Sequence, residues 1–99
     1  MIAIQRPIYD QSLMIAIHKQ VLKIKDEQLI ELPIGAEILS VGNQYGNISI
    51  WYKCNIEADK IMRKIYIRGT GHKFSGGEHR FIGSVLMING DLVWHVFEG

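Results

Sequence analysis

The sequence predicts an all-β domain, a small antiparallel β-barrel or sandwich of about seven strands. Three observations carry that reading. Isoleucine, valine and the aromatic residues are abundant while alanine is scarce, the composition of pleated, half-buried strands. Turn signals of Gly, Pro, Asn and Asp recur at roughly the spacing of short strands. No segment shows the 3.6-residue apolar period of a long amphipathic helix.

Strands are expected over residues 15–23, 28–32, 37–41, 48–54, 61–68, 81–88 and 92–98. Alternation is clearest where Ile48, Ile50 and Tyr52 share a face against Ser49 and Lys53, and where Ile61, Ile65 and Ile67 oppose Lys64 and Arg68. Leu32-Pro33-Ile34-Gly35 supplies a pre-set φ and a glycine for a turn. Residues 42–47 read as a short hairpin, and Asn89-Gly90 is the strongest hairpin signal in the chain. Residues 56–60 read as a loop with room for one helical turn. The last two strands are apolar on both faces, so both faces need cover. A closed barrel, a partner sheet or a second subunit can each provide it.

The 99 residues suit one domain. Residues 1–13 read as an N-terminal extension and 14–99 as a single β domain. Met1-Ile2-Ala3-Ile4-Gln5-Arg6 is echoed by Met14-Ile15-Ala16-Ile17-His18-Lys19. The first copy is either an extra edge strand or an added tail, and two copies are too few for a repeat architecture. No apolar run approaches the ~20 residues of a membrane helix, and the first four residues are too short for a signal-peptide core. The lone Cys54 excludes an internal disulfide and a cysteine-rich zinc site. A cytoplasmic protein without membrane association is expected.

A net charge of +1 argues against broad nucleic-acid binding. The distribution is uneven: residues 60–80 hold six basic residues against Glu78 alone, and the rest of the chain holds five basic and nine acidic ones. Such asymmetry either focuses a field on one site or marks solvated outward positions.

The densest candidate site lies in that window, at Arg68-Gly69-Thr70-Gly71-His72-Lys73. Two glycines one residue apart let backbone N–H groups converge on an anion. Thr70 and His72 add hydrogen-bond donors, Arg68 and Lys73 add charge, and Tyr66 or Trp51 offers a surface to stack a base. No Gly-Lys-Ser/Thr follows, so this is no Walker A loop, and no βαβ unit surrounds it. A strand-ending turn that needs glycine for geometry is the competing reading. His18, His72, His79 and His95 form no metal-binding pair by spacing, so no metal site is expected. Cys54 reads as a buried small hydrophobe. Ser75, Ser84 and Thr70 have no base partner visible in sequence. His95 and Glu98, three apart on a strand, point to opposite faces. No catalytic residues and no cofactor are expected.

Ile65-Tyr66-Ile67-Arg68-Gly69-Thr70-Gly71-His72, Phe81-Ile82-Gly83-Ser84-Val85 and Leu92-Val93-Trp94-His95-Val96-Phe97-Glu98 carry a resemblance. Over roughly residues 14–98 the chain resembles a family of small phage and prophage proteins of unknown function. The resemblance implies a compact β-rich domain and no particular reaction. By class-level analogy the expectation is a non-enzymatic, homo-oligomeric counter-defence protein in the host cytoplasm. It would sequester a small phosphorylated, nucleotide-like ligand on Arg68 to Lys73 with Tyr66 or Trp51. The alternatives are an inhibitor that binds a host protein through the apolar hairpin of residues 81–98, and a structural or virion-associated accessory domain.

Overall fold

The computed structural model describes residues 13–77 and 79–99. Seven strands follow in order: β1 (Ile15–Val21), β2 (Glu27–Pro33), β3 (Glu37–Gln44), β4 (Asn47–Asn55), β5 (Lys60–Gly69), β6 (Arg80–Met87) and β7 (Leu92–Glu98). Every expected strand is present, and the described residues contain no helix. The extension expected over residues 1–13, and with it the first of the two echoing segments, lies outside the described residues but for Leu13.

The strands form two antiparallel sheets, ordered β1-β4-β3 and β2-β5-β7-β6. The sheets face each other without closing into a barrel, so the fold is a sandwich. One core joins them. Ile48, Ile50, Tyr52 and Cys54 of β4 meet Ile30 and Leu32 of β2, Ile65 and Ile67 of β5, Val85 of β6 and Val96 of β7. Each fully buried aliphatic side chain contributes about 1.5–3 kcal/mol. The tightest approach between the sheets is at Gly83, where a Cβ would lie 2.8 Å from Val41 Cγ1. β6 and β3 pack along this line, and each carries a register shift beside it, at Phe81/Gly83 and at Ile38/Ser40.

The turns bear out their chemistry with two changes of detail. Tyr45 (φ 54°) and Gly46 (φ 83°) form the two-residue, doubly left-handed turn that suits a twisted hairpin, and the Gly46 amide donates to Asn43 Oδ1 at 2.9 Å. The proline turn sits one residue later than its sequence suggests. The Ala36 amide donates to the Pro33 carbonyl at 3.0 Å, and Gly35 (φ 79°) takes the third position. Pro33 ends the edge strand β2, where a missing N–H breaks no ladder bond. At Asn89-Gly90 the hairpin opens to a four-residue loop, because β6 and β7 last pair at Met87 and Leu92. Residues 56–58 form a turn, not a helical one, with Asn55 Oδ1 accepting from the Glu57 amide at 3.1 Å.

Alternation on β4 is imperfect. Ser49, expected to point to solvent, is buried although it lies on the outer face. Trp51 lies over the bare Cα of Gly42, 3.6 Å from where a Cβ would stand. Lys19 Nζ reaches across β4 to Gln44 Oε1 at 2.6 Å. Together these cover the centre of the smaller sheet.

Candidate functional site

The glycine-rich segment is a turn. The His72 amide donates to the Gly69 carbonyl at 3.1 Å, and Gly71 (φ 84°) occupies the left-handed third position. Gly69 serves a second need: a Cβ there would stand 2.6 Å from His72 Cε1, so the imidazole packs on bare backbone. The His72 ring also meets Trp94 edge-on, with centroids 6.3 Å apart. Turn geometry therefore accounts for both glycines.

Beyond the turn the chain returns across the outer face of the four-stranded sheet. Register places Glu27, Tyr66, Phe97 and Phe81 in one row on that face, and Arg68, His95 and Ser84 in the next. The loop adds Phe74 and His79. His79 stacks on Tyr66 at 4.1 Å, and Phe74 approaches Phe97 at 6.4 Å. The Arg68 guanidinium lies 5.1 Å from the Tyr66 ring centroid and 4.8 Å from that of Phe74, and donates to the Asp26 carbonyl at 2.8 Å. It is thus held by two rings and a carbonyl. Beside it opens a cleft of about 450 Å³ lined by Asp26, Glu27, Arg68, His72, Lys73 and Phe74.

The cationic window divides between the two faces of its sheet. Arg63 and Arg80 turn inward and share Glu98. Arg63 Nε donates to Oε2 at 2.5 Å and Arg80 Nη2 to Oε1 at 2.8 Å, while Arg63 Nη1 reaches the Ala36 carbonyl at 2.6 Å. The Arg63 and Glu98 side chains are 16% and 11% exposed. Burial alone would raise the Glu98 pKa, but hydrogen bonds and charge from the two arginines outweigh it and hold the carboxyl below its ordinary range. In the outer cleft, Arg68 and Lys73 are matched by Asp26 and Glu27. Lys64 stays on the outer face too, its Nζ 5.9 Å from the Tyr66 ring centroid, so the positive charge of the sequence window is split between the two faces.

A second cluster adjoins the turn. Thr70 Oγ1 lies 2.8 Å from His95 Nε2, and Ser84 Oγ lies 2.8 Å from His95 Nδ1. Sequence shows no base beside either hydroxyl; cross-strand register provides one. A neutral imidazole has a single N–H, so one hydroxyl donates into the ring and the other accepts from it. Glu98 lies on the opposite face from His95, as their spacing requires. Among the described residues no group of three or more His, Cys, Asp or Glu gathers as a metal site.

Of the residues singled out by sequence, Arg68, His72 and Lys73 share the cleft, Tyr66 stacks beside it, and Gly69, Thr70 and Gly71 form its turn. Trp51 belongs to the other sheet and lies outside the cluster. Sequence reasoning missed Phe74, His79, Asp26 and Glu27. No motif marks them: the return of the loop brings in Phe74 and His79, and the pairing of β2 with β5 brings in Asp26 and Glu27.

No curated protein and no solved structure matches the chain. A family model described as a domain of unknown function, DUF7352, matches residues 14–99, a span that includes all seven strands and the aromatic loop. The chain therefore belongs to the DUF7352 family.

Proposed function

We propose that this protein acts by binding and not by catalysis. Its ligand surface is the cleft beside the Tyr66–Arg68–Phe74 stack, and its ligand is a small nucleotide-like molecule of low charge. The observation that carries this reading is the mixed lining. Phe74, half exposed, offers a ring on which a base can stack, worth roughly 1–3 kcal/mol. Lys73 and His72 can meet a phosphate, and Glu27 and Asp26 can accept hydrogen bonds from ribose hydroxyls or base amines. Two cations against two acids favour a single phosphate charge over a polyphosphate. Capture of such a nucleotide signal is the counter-defence role expected from the phage resemblance. Titration calorimetry against cyclic and linear nucleotides is expected to yield at least one ligand, with affinity falling roughly tenfold in Lys73→Ala. Absence of heat across the panel overturns the proposal.

A second reading, inhibition of a partner protein, has its own support. Phe81 and Leu86 on the C-terminal hairpin are 56% and 59% exposed, with Ile88 beside them. Retention of one host protein that survives Lys73→Ala but is lost in Leu86→Asp favours it.

A further inference from the structure

We infer that the outer edge of β1 is a homodimer interface, joining two copies of this chain into one continuous six-stranded sheet. The inference concerns the smaller sheet and stands apart from the cleft. Two sheets have four edges, and a free edge is a template for another strand unless something blunts it. Three are managed. β3 and β6 cover each other around Val41 and Gly83, and each is bulged. β2 presents Glu27 and Glu31 and ends in Pro33, which has no N–H. β1 has seven paired residues without proline or bulge, and Lys19 is its one strongly charged side chain.

The orientation of its backbone is set by two bonds. The Ile56 amide donates to the Met14 carbonyl, and the Leu22 amide to the Ile48 carbonyl, both at 2.8 Å. Even-numbered residues of β1 therefore pair with β4, while Ile15, Ile17, Lys19 and Val21 turn N–H and C=O to the outer edge. Among the described residues no strand pairs with that edge. One polar group is already met there, the Val21 carbonyl, which accepts from Gln20 Nε2 at 2.8 Å.

A second copy fits by two-fold symmetry. Antiparallel pairing centred on His18 sets Ile17 opposite Lys19 of the copy, and Ile15 opposite Val21, as hydrogen-bonded pairs. Lysine meets isoleucine and never lysine, so no like charges oppose. Ile15, Ile17 and Val21, all exposed in the single chain, then run together as one apolar stripe on the outer face. Strand addition of this kind draws its affinity from main-chain bonds and its specificity from such alternate side chains.

The test is native mass spectrometry and light scattering of the full chain, with two variants. Ile17 is 61% exposed, so Ile17→Lys leaves the core alone while setting two lysine pairs across the axis. It is expected to weaken the dimer by roughly tenfold or more. Adding Lys19→Glu turns those pairs into opposite charges and is expected to restore the dimer. A monomeric wild-type chain overturns the inference, as does a dimer indifferent to Ile17→Lys. A full chain that dimerises only after removal of residues 1–12 also overturns it, since the edge then belongs to the chain's own beginning.

Discussion

Strand β5 supplies two arginines five residues apart, and they do opposite work. Arg63 faces inward, shares a carboxylate with Arg80 and caps the end of the core beneath Ala36. Arg68 faces outward, lies between two aromatic rings and walls an open cleft. Both come from one cationic stretch of sequence, and strand alternation alone divides them. The lesson is that charge counted along a window becomes a field at a site only if the side chains share a face. Here they divide: Arg63 and Arg80 turn inward onto Glu98, while Lys64 and Arg68 stay on the outer face about the Tyr66 ring.

The largest effect expected from breaking that contrast is at Glu98. Glu98→Ala strands two guanidinium groups, one of them mostly buried, and should cost about 3 kcal/mol in urea denaturation. Acid probes the same site. Because the folded pKa of Glu98 lies below its unfolded value, its stabilisation is complete above the ordinary carboxylate range and is lost as pH falls through the depressed value. Glu98→Gln should flatten that acid slope; an unchanged slope would show that other carboxylates carry it. Next comes Arg68→Ala, expected to cost about 1–2 kcal/mol through lost ring contacts and one hydrogen bond. A loss at Arg68 equal to that at Glu98 would erase the distinction between the two clusters. The smallest effect is at Lys73→Ala, expected to leave stability within about 0.5 kcal/mol of wild type while weakening ligand binding.

The strands were legible because their signal is local. Period-two alternation and turn residues located all seven, and Tyr45-Gly46 turns the chain where the sequence places a hairpin. Sheet order was not legible. β1 pairs with β4, and β2 leaves for β5, which separates Trp51 from Tyr66 although each reads equally well as a stacking residue. Ser49 keeps the face its alternation predicts but is buried there, between its cross-strand partners Val21 and Gly42, an event of packing and not of pattern. The turn at residues 69–72 was readable in its glycines. Its partners were not, since Thr70, Ser84 and His95 meet only through the register of three strands.

The hydroxyl–imidazole–hydroxyl chain through His95 has a polarity. With one proton on the ring, its two hydrogen bonds run in the same direction, and the whole chain can reverse only as a unit. With the proton on Nε2, the ring donates to Thr70 Oγ1 and accepts from Ser84 Oγ at Nδ1. Thr70, exposed at the tip of the turn, would then direct its own proton outward. Which nitrogen of one half-buried imidazole holds the proton thus decides whether the solvent side of that turn presents a donor.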